Sequence, residues 1–274
     1  MSLLVWAANP LAVFRHFRQH RYLLVRLAWR EVQARYRGSW LGPLWSLLTP
    51  LLMLAVYTFV FSVIFKARWG NGLESSTDTA LALFGGLTAF TVFAETVGSA
   101  PALILGNQSY VKRVVFPLEI LPVARLLSNL LQASFAFSAF AVALLIFRGT
   151  VPWTMLLLPV ALLPLTLLSL GGALFLASLG VFVRDIQQVV SLVITMLMFL
   201  SAIFYPVSSL PSECRWAFEL NPLVPIIEDV RRVCLMGAMP NWPSWLATTT
   251  VGLLAAVGGL FWFMKSKNAF ADVV

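Results

Sequence analysis

The chain has 274 residues, 60% hydrophobic and 11% charged, with a mean hydropathy of +0.88. A soluble domain carries about a quarter charged residues, so a water-soluble globular fold is excluded; several apolar runs exceed the roughly 18 residues that cross a bilayer. The net charge of +8 then reads as basic residues marking the cytoplasmic side, not as a sign of nucleic acid.

Met1 to Val13 lack the charged start and cleavage site of a secretory signal peptide. Residues 10–38 read as a basic amphipathic helix lying along the membrane surface. At helical spacing Val25, Trp29, Val32 and Tyr36 form one stripe and Arg26, Arg30, Gln33 and Arg37 the next. Glu31 is placed to pair with Arg35 one turn on. Such a helix serves either as an anchor or as a site for an anionic lipid headgroup. His16 and His20 have the spacing of metal ligands, but arginines surround them and no third ligand is near, so they read as solvated histidines. After Arg35 and Arg37, Gly38-Ser39 breaks the helix, and Pro43 suits the first turn of the one that follows.

Six spans are expected, at 44–65, 79–105, 121–147, within 153–183, 186–204 and 245–264. Lys and Arg concentrate on the side of both termini, from Arg15 to Arg37 and at Lys112, Arg113, Arg125, Arg184, Lys265 and Lys267. That side is therefore expected to be cytoplasmic. In the first span Tyr57, Phe61 and Phe65 share a face, as ordinary packing or as a stacking path for sugars. Glu95 is ionisable inside the second span, either a structural hydrogen-bonding group or a transport group. Ala173, Ala177 and Gly180 in the fourth permit close helix contact.

Residues 206–243 read as a re-entrant helical hairpin on the far side. Asn221 and Pro222 open a helix and Gly237 closes it. Leu223, Ile226, Ile227, Val230 and Val233 form its apolar face, with Glu228 and Arg232 one turn apart on the polar face. An antiparallel hairpin brings Cys214 near Cys234, as a disulfide in an oxidising compartment or as two free buried thiols. The sequence contains no Gly-x-x-x-x-Gly-Lys-Ser/Thr phosphate loop and no internal repeat.

The run REVQARYRGSWLGPLWSLLTPLLMLAVYTFVFSVIF (Arg30–Phe65) is followed by GNQSYVKRVVFPLEILPVARLLSNLLQ (Gly106–Gln132), VRDIQQVV, YPVSSLP, NPLVPIIEDVRR and NAFADVV. In this order they resemble ABC-2 type permeases of the polysaccharide-export branch, in particular the Wzm-type O-antigen permeases. The resemblance implies an all-α polytopic membrane protein, one half of a homodimer with a channel at its interface. Two copies of a separate, Wzt-like ABC ATPase subunit would drive it and would carry the ATP and Mg. No cofactor, metal or catalytic residue is then expected on this chain. The implied substrate is an undecaprenyl-diphosphate-linked glycan, O-antigen first, moved from cytoplasm to periplasm across the bacterial inner membrane. Exporters of capsule, teichoic acid, a small lipid or a drug share the fold. An embedded enzyme acting on polyprenyl phosphates, or a non-transporting assembly subunit, is the alternative from outside transport.

Carried onto this sequence, the resemblance puts Asn107, Tyr110, Lys112 and Arg113 in a helix that couples to the ATPase, with Arg184-Asp185 as a smaller contact. It makes Trp40, Leu41 and Gly42 an entrance loop. Spans one and five would line the conduit, with Trp40, Trp45, Tyr57, Phe61, Phe199, Phe204 and Tyr205 touching glycan. Arg30, Arg35 and Arg37 would meet the lipid diphosphate, and the hairpin would close the outer end.

Overall fold

The computed structural model describes residues 10–64, 75–111, 116–206, 213 and 215–270, and the regular structure among them is helical. Helices α1 (Pro10–Gln19) and α2 (Arg21–Arg35) come first, broken at His20, so the expected single surface helix is two. Helix α3 (Trp45–Thr58) continues into a wider π-helical stretch, Phe59–Ile64. Then follow α4 (Ser76–Leu103), the short α5 (Gln108–Val111), α6 (Ile120–Arg148), α7 (Leu158–Ala161) and α8 (Leu163–Phe182). Helices α9 (Ile186–Leu200), α10 (Arg215–Glu219), α11 (Leu223–Cys234) and α12 (Trp242–Ser266) complete the order.

Among the described residues, four helical stretches are long and apolar enough to cross a membrane: Ser76–Leu103, Ile120–Arg148, Trp153–Phe182 and Trp242–Ala269. The expected first and fifth spans correspond to shorter apolar helices, Trp45–Phe61 and Ile186–Leu200. The fourth is not one continuous α-helix. A 3-10 turn over Trp153–Leu157 leads into α7, and α8 restarts after Leu162. Pro159 and Pro164 each stand in the first two positions of these helices, where a missing N–H costs nothing.

Helix α4 is the axis of the bundle, buried on almost every side. Ser75 caps its start, its hydroxyl accepting from the Thr77 N–H. Helices α8 and α12 touch backbone to backbone: a Cβ on Gly259 would lie 2.3 Å from the Gly171 carbonyl oxygen. Gly180 does the same against Pro101 of α4, with Ala173 and Ala177 fully buried beside it, so small residues set these helix spacings as their pattern suggested.

Helix α2 lies along α6 and buries Leu24, Leu27, Ala28 and Val32. The stripe read from the helical spacing is thereby split: Val32 faces the bundle, while Val25 and Trp29 turn outward with Tyr22. The outward stripe is the aromatic, apolar surface that a membrane interface accepts. Between α2 and α3 the chain turns through Gly38 (φ 83°) and Gly42 (φ 52°), both in the left-handed region that glycine adopts without strain.

Candidate functional site

The elbow between α2 and α3 delivers Arg35 and Tyr36 to the flank of α4 and α6. The Arg35 guanidinium pairs with Glu95 of α4, Nη2 to Oε2 at 2.6 Å and Nη1 to Oε1 at 3.3 Å. Both side chains stay about a third exposed. Asn129 of α6 completes the group: with its amide oriented to suit its neighbours, it donates to Glu95 Oε2 at 3.0 Å and accepts from Thr96. One turn of backbone away, the Gln132 Nε2 donates to the Tyr36 hydroxyl at 2.6 Å. Glu31 pairs not with Arg35 but with Arg125 of α6, at 3.2 Å. Burial raises the Glu31 carboxyl above its ordinary range, against the opposing pull of Arg125, Arg30 and Arg35.

Two cavities meet at this ion pair. The first, about 330 Å³, runs between α3, α4 and α6. Its polar end is Arg35, Tyr36, Glu95, Asn129 and Gln132, and its apolar end includes Met53, Tyr57, Phe84 and Val92. The second, about 490 Å³, lies between α4, α6 and the start of α9. Arg35 and Glu95 are the residues common to both walls.

The other residues singled out in the sequence scatter around this centre. Arg30 reaches the Tyr110 hydroxyl and lies 5.6 Å over its ring, and Tyr110 stacks on Phe116 with centroids 4.4 Å apart. Asn107 closes the end of α4 by donating to the Leu103 carbonyl. Lys112 and Arg113 lie outside the described residues. Arg37 is exposed, and Trp40 is 97% exposed at the outside of the elbow. Leu41 and Trp45 are half-buried, as are Tyr57 and Phe61; Phe65 lies outside the described residues. Phe199, Phe204 and Tyr205 gather at the far end of α9, Phe199 and Phe204 with centroids 5.6 Å apart and Tyr205 edge-on to Phe218. The exposed Arg184-Asp185 turn joins α8 to α9. Cys234 is a free buried thiol; Cys214 lies outside the described residues.

Three charged residues hold the ends of the bundle and were not singled out in the sequence. At the basic end Glu119, 2% exposed, accepts from His16 Nε2 at 3.0 Å and from Lys267 Nζ at 2.8 Å. His16 is therefore a buried acid's partner and not a solvated histidine. At the far end Arg231 of α11, 2% exposed, donates from Nε to the Ala82 carbonyl of α4 at 3.1 Å, and to the Ala202 and Ile203 carbonyls beyond α9. Glu228 pairs with Arg231 at 3.3 Å, and Arg232 bonds the Met239 carbonyl. Asp229, also buried, accepts from the Asn241 N–H at 2.7 Å and fixes the entry to α12. The apolar face read for this helix is buried in full, Leu223, Ile226, Ile227, Val230 and Val233 alike. Asn221 accepts from the Leu223 N–H, and Gly237 is left-handed just past the helix end.

The signal for Arg231 was present. It falls four residues after Ile227 and three before Cys234, within the apolar stripe. Glu119 stands immediately before the long apolar run of α6, where a buried acid and a plain boundary residue look alike.

The ABC-2 type transporter family matches residues 22–235. The chain is 27% identical to the O-antigen export system permease protein RfbA of Myxococcus xanthus, over 95% of this chain and 98% of that one. It is 26% identical to the protein of the same name from Klebsiella pneumoniae, over 92% and 95% of the two chains. It is 25% identical to the polysialic acid transport protein KpsM of Escherichia coli, over 76% and 79%.

Proposed function

The chain belongs to the ABC-2 type transporter family, and on that premise we propose that it is the permease subunit of an ATP-driven polysaccharide exporter, O-antigen being the substrate. The observation that carries this is the end-to-end match, 262 aligned residues, with a relative named for O-antigen export. Two copies of the chain form the channel, two copies of a separate ATPase power it, and the glycan travels on a polyprenyl diphosphate across the inner membrane. Both termini lie in the cytoplasm. The sequence has no phosphate loop of its own, which fits ATP being held by another subunit.

Force enters at the segment containing Tyr110. Because Tyr110 holds Arg30, a push from the ATPase passes into α2, and through the glycine elbow into α3. The three arginines read as headgroup ligands thus divide in role. Arg30 transmits, exposed Arg37 meets the lipid surface, and Arg35 stands at the mouth of the internal cavities. Aromatic faces at Tyr57 and at the Phe199–Tyr205 cluster supply weak, repeated contacts for sugar rings.

Deletion of the gene tests the proposal. Loss of surface polysaccharide with carrier-linked glycan accumulating inside the cell is expected; intact surface glycan with no accumulation refutes it. The match with the polysialic acid transport protein supports a polysialic-acid-like polysaccharide as second reading. The chemical identity of the accumulated glycan separates the two.

A further inference from the structure

An ionisable residue inside a spanning helix is costly and is kept for a use, and Glu95 stands inside α4. We infer that Glu95 is a positioning residue for transport: through its pair with Arg35 it latches α3 to the bundle, and α3 moves when the pair opens. This rests on the export proposal for what the movement achieves; the latch itself is a property of this chain.

Helix α3 is held to its own bundle by little else. Among residues 45–58 only Ser46 and Leu54 are buried, whereas α4 is buried on almost every side. The cavity of about 330 Å³ separates α3 from α4 and α6, so one face of the helix has space where packing would otherwise fix it. Both of its ends can bend. Gly38 and Gly42 make the elbow at its start. The π-helical stretch Phe59–Ile64, an uncommon arrangement often found at functional sites, follows its end. Pro50 removes one backbone hydrogen bond within it. A helix with few buried contacts takes its position from whatever pins its start. The pins here are polar, Arg35 on Glu95 and Tyr36 on Gln132.

The pair has the properties of a contact that opens. Arg35 is 33% and Glu95 38% exposed, so water reaches both partners and can replace either at small cost. The permanent supports of this molecule differ: Glu119 and Arg231 are each 2% exposed. Opening also strands no charge. Asn129, itself held by Thr96, still donates to Glu95 Oε2 at 3.0 Å, and Arg35 ends α2 beside the exposed elbow. Arg30 of the same helix is held by Tyr110, so a displacement of α2 pulls on the pair directly. Arg35 and Glu95 are common to the walls of both cavities, so their separation alters both at once.

The test uses the full chain in lipid nanodiscs and reads amide hydrogen exchange over residues 36–50, the elbow and the start of α3. Glu95→Gln and Arg35→Gln are each expected to speed exchange there about fivefold, with α8 unchanged. The charge-swapped double variant, Arg35→Glu with Glu95→Arg, is expected to return to within about twofold of wild type. In cells, Glu95→Gln is expected to lower surface glycan about fivefold, while ATP hydrolysis by the purified complex with its ATPase changes less than about twofold. Unchanged exchange over residues 36–50 in both single variants overturns the latch. An equal rise in α8 also overturns it, since the pair would then support the bundle as a whole. A double variant no better than the singles, or glycan and ATP hydrolysis falling in step, overturns the positioning role. Hydrogen exchange needs no cargo, so a failed latch leaves the export proposal to the deletion phenotype, and a failed export proposal leaves the exchange result standing.

Discussion

Arg231 and Ala202 are joined by two hydrogen bonds of 3.1 Å, from both terminal nitrogens of the guanidinium to one carbonyl oxygen. Ala202 holds a left-handed backbone (φ 50°) that alanine rarely adopts, and the arginine fixes the carbonyls on either side of that turn. Helix α11 and the end of α9 are therefore tied together, with α4 as the third party through Ala82. Arg231→Met is expected to destabilise the chain by roughly 3–5 kcal/mol, as loss of one member of a buried polar network does. Thermal unfolding in detergent measures it, and a melting temperature equal to wild type would remove Arg231 from this role. Gly86→Ala should act in the same direction, since its Cβ would lie 2.8 Å from Arg231 Nη2.

Adjacent glycines in α12 should behave oppositely. A Cβ on Gly259 meets the backbone of Gly171, whereas one on Gly258 meets nothing within 4 Å. Gly259→Ala is expected to cost about 1–3 kcal/mol by forcing the helices apart. Gly258→Ala should be neutral or stabilise by up to about 1 kcal/mol through its helix propensity. Comparable melting shifts for the two would mean that the α8–α12 spacing is not set by backbone contact.

The docking of α2 on α6 should depend on pH through Glu31. Its carboxyl is raised from an ordinary value of 4.5 by burial. A raised folded-state value means that its stabilisation is complete below about pH 4.5 and is lost as pH rises through the folded value. Docking should thus be firmer in mild acid than at neutral pH, and Glu31→Gln should flatten the dependence. Protease protection of the α1–α2 segment between pH 4 and 7 reads this; protection that increases with pH would contradict it.

At Glu119 the two partners are unequal tests. Lys267→Met strips a cation from a buried carboxylate and is expected to cost about 3 kcal/mol. Glu119→Gln leaves a neutral acceptor and should cost less. The double variant should be milder than the sum, with a coupling of about 0.5–3 kcal/mol measured by a double-mutant cycle. Strict additivity would show that the 2.8 Å contact contributes nothing to the fold.

The parts of the molecule that were legible in the sequence are those set by composition and periodicity. The apolar runs located α4, α6 and α12 to within a few residues, because a continuous apolar run of that length can satisfy its backbone in lipid only as a helix. The apolar face of α11 and its Asn221 and Gly237 boundaries followed from local rules. Charge partners did not. Glu31 and Arg35 are one turn apart, and that proximity suggested a pair; each instead found an opposite charge on a distant element, Arg125 and Glu95. Helix rotation decided this, since burying Leu24, Leu27 and Ala28 on α6 points Glu31 and Arg35 inward. Arg231, whose position in the stripe was visible, was passed over for a different reason. A cation inside an apolar stripe reads as surface until the carbonyls that receive it are in place, and those come from two other elements.

Glu119 has a further consequence, in the order of synthesis. His16 is made among the first residues and Lys267 after the last long helix, yet both end on the same carboxylate. While the chain is growing, Glu119 can acquire His16 but must wait for Lys267. The basic end of the bundle is therefore finished only once α12 has been inserted. A chain stopped before that point carries a buried acid lacking its lysine, so the last helix is what completes the fold at that end.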